Sequence, residues 1–141
     1  MRKANYDKFP STKLTGMLVQ GWDSIISMLK KKMDARKVLA VDLYTGVYEE
    51  EVLDAFSKEF SGRVMNVRDL MKPEKEIQTL TERFMTEDVL FGYVTNLKLE
   101  DYLDADKVAA ARKQISEAKE TIVIIGTGAA VVAPQDAMVV Y

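Results

Sequence analysis

The sequence predicts an α/β fold with three layers, in which helices cover both faces of a mostly parallel β-sheet. Segments with strand character alternate with segments of helical period, and this alternation favours right-handed crossovers between parallel strands. The apolar runs VLAVDL and TIVII lack the polar alternation of half-exposed strands, so both are expected to be buried on two faces. The length of 141 residues suits one domain, residues 1–141.

The first part of the chain is predicted to fold in the order strand, helix, strand, helix. Residues 13–19 have weak strand character because Gly16 interrupts them. Residues 22–33 carry one apolar stripe at helical spacing. A buried strand over 38–43 and a helix over 49–60 follow.

The second part is predicted to continue in the order strand, helix, helix, strand, strand. The ranges are 63–67 for the strand, a helix that Pro73 opens, a helix over 104–119, and strands over 121–125 and 138–141. Asp104 or Asp106 is expected to cap the second of these helices, and residues 87–101 are expected to be mostly loop.

The last predicted strand ends with the chain. A natural domain usually extends beyond its last core strand, so we expect this chain to be a fragment of a longer polypeptide. The alternative is a natural C-terminal edge strand.

Composition excludes several classes of chemistry. The chain has no Cys and no His, which rules out disulfides, Cys/His zinc sites and His-based acid–base catalysis. The net charge of −2 argues against a nucleic-acid or acidic-membrane surface. The apolar runs are far shorter than the roughly 20 residues that span a bilayer, and the first residues do not resemble a signal peptide. We therefore expect a cytoplasmic protein with neither nucleic acid nor membrane as a partner, and no metal site.

The turn after the 38–43 strand is the first candidate site, with Asp42, Tyr44 and Gly46 as its candidate binding residues. Strand–loop–helix units of this kind can cradle phosphate with backbone amides. A working phosphate loop needs G-x-x-x-x-G-K-[ST], whereas only Gly46 is present here and Glu49, Glu50 and Glu51 follow. The loop is therefore expected to be structural or to bind something other than a triphosphate.

The turn Gly126-Thr127-Gly128 is the second candidate site. It follows a strand, but the third Gly of a dinucleotide fingerprint is replaced by Val131. Two interpretations stay open: a tight turn with close backbone approach, or an anion nest made of the amides of residues 126–129.

Asp42 is also the most notable carboxylate, because it lies at the end of an otherwise apolar strand. A strand-end Asp can bind Mg²⁺ or orient a substrate hydroxyl. It can equally cap the following turn.

Three runs of the sequence carry a resemblance to a known family: VLAVDLYTGVYEEEVLDAF, LFGYVTNLKLEDYLDADKVAAARKQI and TIVIIGTGAAVVAPQDAMVVY. They resemble the N-terminal domain of bacterial, Bacteroides-type, class I mannose-6-phosphate isomerase family proteins. In those proteins a domain similar to P-loop nucleoside or uridine kinases precedes a cupin isomerase domain. The resemblance extends from about Tyr6 to Tyr141.

The resemblance implies a kinase-like fold with a degenerate P-loop, since the loop lacks the Walker Lys and Ser/Thr. It implies a non-catalytic accessory or regulatory domain whose partner is the absent C-terminal cupin domain. That domain would hold zinc and interconvert mannose-6-phosphate and fructose-6-phosphate, and this chain would need no cofactor. Two alternatives stay open: a divergent phosphotransferase that uses Asp42 and Asp69, and a stand-alone nucleotide or sugar-phosphate binding module.

Overall fold

A computed structural model describes residues 9–13, 15–33 and 35–141, and a parallel β-sheet lies at its centre. In this part of the chain the sheet has four strands, which are β1 (Val38–Asp42), β2 (Arg63–Asn66), β3 (Ile122–Gly126) and β4 (Met138–Val140). Their order is β2-β3-β1-β4, and every pairing is parallel. The predicted parallel α/β fold is confirmed.

The two central strands are buried on both faces, as their unbroken apolar runs predict. Every residue of β3 is buried, and so is every residue of β1 except Asp42 at its end. Leu39 and Val41 point to one layer of helices, whereas Val38 and Ala40 point to the other.

Helices α1 (Trp22–Met33) and α2 (Glu49–Glu59) cover one face. The predicted stripe of α1 buries Ile26, Leu29 and Met33. Phe56 of α2 is at the centre of this layer. Its ring packs edge-on against Trp22, with 6.4 Å between the ring centroids, and stacks on Phe60, with 5.5 Å between the ring centroids. Aromatic pairs in these geometries add to the stabilisation that burial alone gives.

Helices α4 (Ala105–Glu117) and α5 (Ala129–Val132) cover the opposite face, together with the 3₁₀ turn Val67–Leu70. Asp104 caps α4, since its carboxylate accepts hydrogen bonds from the amides of Asp106 and Lys107 at 3.0 Å each. This settles which of the two predicted aspartates caps the helix.

Helix α3 (Glu74–Glu82) and the segment after it lie apart from these layers. No residue of α3 is fully buried. The chain leaves the helical layer after Met71 and rejoins it at Leu103. These two residues form an antiparallel β-bridge, and the Lys72 amide donates to the Tyr102 carbonyl at 3.0 Å. A second 3₁₀ turn, Leu99–Tyr102, precedes the return.

The predicted strand over 13–19 is wrong for the residues that the structure describes. Residues 13 and 15–19 form no strand, and Leu14 lies outside the described residues. Met17 and Leu18 are 81% and 89% exposed, so the apolar side chains that suggested a strand contact no sheet that could pair with it. Predicted ends elsewhere differ by one or two residues; for example, Val67 begins the 3₁₀ turn instead of ending β2.

Candidate functional site

The neighbouring strands β1 and β3 form a topological switch point. After β1 the chain forms α2 and then β2, which lies on the far side of β3. After β3 the chain forms α5 and then β4, which lies on the far side of β1. The two connections run in opposite directions and over opposite faces. In open α/β sheets, ligands bind in the crevice that such diverging connections leave at the carboxyl ends of the strands.

Both turns that the sequence singled out meet at this point. Asp42 and Gly126 are the last residues of their strands and face each other in the β1–β3 register. The amide of Leu43 donates to the Gly126 carbonyl at 3.3 Å, which joins the start of one turn to the start of the other.

The carboxylate of Asp42 is bound by backbone amides of the second turn. Its Oδ1 accepts from the amide of Gly128 at 2.9 Å, and its Oδ2 accepts from the amide of Ala130 at 3.0 Å. Hydrogen bonds from amides to a carboxylate are stronger than those to a neutral acceptor. Asp42 therefore acts as a cap, but of the turn after β3 and not of the turn that follows it in sequence.

The second turn is built on glycine geometry. Gly128 adopts the left-handed conformation, with φ of 88°, at the start of α5. Gly126 has φ of 133° and is packed so closely that a Cβ there would lie 2.9 Å from the Cβ of Val67. Thr127, between them, is exposed. The arrangement is a tight turn with close backbone approach, and part of its amide surface binds Asp42.

The first turn, residues 43–48, lies open to solvent beside this contact. Tyr44 and Tyr48 are 78% and 82% exposed. Gly46 has φ of 101° with open space where a side chain would be. At this edge of the sheet Tyr44, Gly46 and Thr127 are thus exposed, while Asp42 is half-buried and Gly126 and Gly128 are buried.

The start of α2 adds negative charge at the same edge. Glu49, Glu50 and Glu51 occupy its first turn. Glu49 Oε2 lies 4.0 Å from Arg68 Nη2, and Glu49 Oε1 is buried without a hydrogen-bond partner. Glu51 accepts a hydrogen bond of 3.1 Å from the Trp22 indole.

Sequence reasoning did not identify Arg68 or the amide of Ala130 as parts of this site. Arg68 lies on the 3₁₀ turn after β2, and its place beside Glu49 depends on the strand order. The amide of Ala130 carries no signal in the sequence, because any residue but Pro offers the same donor.

The described residues were also searched for a metal-binding cluster and for a membrane-spanning helix. Among the residues that the structure describes, no group of three or more carboxylates is arranged to hold a metal ion. In the same part of the chain, none of the helices has the length and apolar character needed to cross a membrane.

Comparison with known proteins gives one family. A family model described as a domain of unknown function (DUF8485) matches residues 21–141. Searches of curated proteins and of solved structures found no match. The chain belongs to this family of domains of unknown function.

Proposed function

We propose that this domain of unknown function is a non-catalytic accessory domain, in which a kinase-like loop region has lost its phosphate site. The observation that carries the proposal is the Asp42 carboxylate, which accepts hydrogen bonds from the amides of Gly128 and Ala130. In a phosphate-binding α/β domain, backbone amides at this edge of the sheet hold the anionic ligand. Here a carboxylate of the chain itself binds two of the amides at this edge, those of the turn after β3, while the loop after β1 lacks the residues of a working phosphate loop.

The charges around the crevice support the same conclusion. The free amides of a helix N-terminus attract anions, but at α2 three glutamates already occupy the first turn. Among the residues that the structure describes, Arg68 contacts this group, and it pairs with Glu49. A triphosphate bound here would face four carboxylates, counting Asp42, without the Lys and Ser/Thr that bind phosphate and Mg²⁺ in a working loop.

The kinase-like element of the proposal rests on the sequence resemblance and on the place of β1. In that resemblance, the strand before the loop is the P-loop strand. Here it is a central parallel strand, followed by a short exposed loop and then by α2. These are the positions that a strand–loop–helix phosphate unit requires.

The wider role is proposed from the resemblance alone. The domain would accompany a cupin domain of the same polypeptide, in which zinc and the interconversion of mannose-6-phosphate and fructose-6-phosphate would reside. We propose that its own contribution is structural or regulatory, with the cupin domain as its partner.

A divergent phosphotransferase is less well supported. It would need Asp42 to hold Mg²⁺ or to orient a hydroxyl, but both of its oxygens already accept hydrogen bonds from the chain. Asp69, the second carboxylate of that hypothesis, is an exposed residue of the 3₁₀ turn Val67–Leu70.

Calorimetric titration with Mg-ATP tests the proposal. We expect no saturable heat for Mg-ATP with either the wild-type chain or Asp42→Asn. Tight binding of Mg-ATP that the Asp42→Asn substitution abolishes would contradict it and would support the phosphotransferase.

A further inference from the structure

The segment after α3 exposes an unusual amount of apolar surface. Within residues 84–94, here called the apolar arm, six large side chains are between 69% and 100% exposed: Met85, Val89, Leu90, Phe91, Tyr93 and Val94. Single exposed apolar residues are normal on a protein surface, but a contiguous group marks an interaction site.

The apolar arm is held in a defined conformation by its own hydrogen bonds. The amide of Tyr93 donates to the Phe84 carbonyl at 2.8 Å, and the Thr86 hydroxyl bonds to the Phe91 carbonyl. The Asp88 carboxylate accepts from the amides of Leu90 and Phe91 at 2.8 and 3.1 Å. A surface that is ordered before binding loses less entropy when it docks.

A large cavity lies at the opposite end of the sheet, at the amino end of β1. Its volume is about 1030 Å³. Its floor is apolar and includes Met33, Val38 and Ile115, and its polar lining is mostly cationic: Lys32, Arg36, Lys37 and Arg112, against one described carboxylate, Asp136. The guanidinium of Arg112 is fixed in the wall, because Nη2 donates to the Val131 carbonyl at 2.7 Å.

We propose that the apolar arm of one copy of this chain docks into the basic cavity of a second copy. The two surfaces are complementary in charge as well as in hydrophobicity, because Glu87 and Asp88 come directly before Val89, Leu90 and Phe91 in the arm. Charge complementarity of this kind selects the partner and its orientation. The exposure of the arm shows that the cavity of its own molecule does not hold it. This proposal does not depend on the function of the crevice at the other end of β1.

The test is sedimentation of the full chain and of two variants, alone and mixed. Val89→Ser/Leu90→Ser removes apolar contacts of the arm, and Arg36→Glu/Lys37→Glu reverses charge in the cavity; these side chains are exposed, so the fold should be retained. We expect the wild-type chain to self-associate, less so in high salt, and each variant alone to associate at least about tenfold more weakly. The mixture should regain association, since one variant supplies an intact cavity and the other an intact arm.

Matched controls separate this contact from general stickiness. Met17→Ser/Leu18→Ser removes equally exposed apolar side chains elsewhere, and Arg63→Glu/Lys119→Glu makes the same charge change outside the cavity. Both controls should associate like the wild type. A wild-type chain that stays monomeric at about 100 μM, a mixture that stays monomeric, or a control that dissociates as the variants do would overturn the proposal.

Discussion

Two residues at the switch point, Asp42 and Gly126, determine the local structure by opposite means. Asp42 supplies a side chain that binds the amides of a neighbouring turn. Gly126 supplies no side chain, and this absence lets Val67 pack against the backbone at the end of β3. Each residue is recognisable in the sequence as unusual for its strand, but neither pattern alone reveals what it contacts.

Alanine substitution at Gly126 and at Gly46 should separate steric contact from backbone strain. Both glycines have positive φ, so an added Cβ costs about 1–2 kcal/mol at either position. At Gly46 the side chain would enter open space, whereas at Gly126 it would lie 2.9 Å from the Cβ of Val67. Crowding of this kind costs a further 1–3 kcal/mol or so. Denaturant unfolding should show the larger loss for Gly126→Ala, and equal losses would contradict the close packing described here.

Among the elements, α2 shows how the loop region after β1 is stabilised. Its first turn carries Glu49, Glu50 and Glu51, while Tyr48 at the N-cap position makes no side-chain cap hydrogen bond. Without such a cap, the negative charges are what complements the positive end of the helix dipole.

Replacing all three glutamates by Gln should therefore lower the free energy of unfolding by about 1–2 kcal/mol, the sum of three dipole contributions. Gln at position 51 can still accept the Trp22 hydrogen bond, so that contact is preserved. Thermal melts would measure the effect. The matched control, Glu59→Gln/Glu82→Gln/Glu117→Gln, removes the same charge from the last residues of α2, α3 and α4. It should not destabilise, because relief at the negative ends of the helices offsets the loss of two weak exposed ion pairs, Lys30–Glu59 and Lys113–Glu117.

The competing idea is that these carboxylates hold a cation or a sugar hydroxyl. It predicts a triple Gln variant that melts like the wild type yet loses a shift induced by Mg²⁺ or by a sugar phosphate. That result would refute a structural role for the three glutamates.

The main helices and the central strands were largely predictable, because the helices carry apolar stripes and the strands carry unbroken apolar runs. The apolar stripe of α1 predicts its bounds, Trp22–Met33, as observed. The segment 13–19 failed because short apolar runs around a glycine do not show whether a neighbouring strand is available. That information is tertiary, and the exposed Met17 and Leu18 show that none pairs there.

The candidate site was predictable in parts but not as a whole. Asp42 and the turn Gly126-Thr127-Gly128 stood out separately, 84 residues apart in sequence. The order β2-β3-β1-β4 brings them together, and local sequence patterns do not encode strand order. Hence the sequence left open whether Asp42 binds a ligand or caps the turn that follows it, and its actual partners lie after β3.

At the scale of the whole molecule, the proposed division of labour predicts that this chain alone does not isomerise mannose-6-phosphate, with or without added zinc. Zinc sites in proteins use Cys, His and grouped carboxylates, and the first two are missing from the sequence. A coupled assay for fructose-6-phosphate would measure it. Turnover well above background in a clean preparation would contradict the proposal, and a longer polypeptide with a cupin domain should be active.

The central claim is that a carboxylate of the chain itself occupies the amides at the switch point. The most direct test is the free energy of unfolding of Asp42→Ala, with and without formate, beside the exposed control Asp54→Ala. Loss of two charge-assisted hydrogen bonds should cost about 2–4 kcal/mol. Formate should restore part of that loss by binding the vacated amides, and Asp54→Ala should stay within about 0.5 kcal/mol of the wild type. The claim would be contradicted if Asp42→Ala unfolded like the wild type, or if formate shifted the variant and the wild type equally.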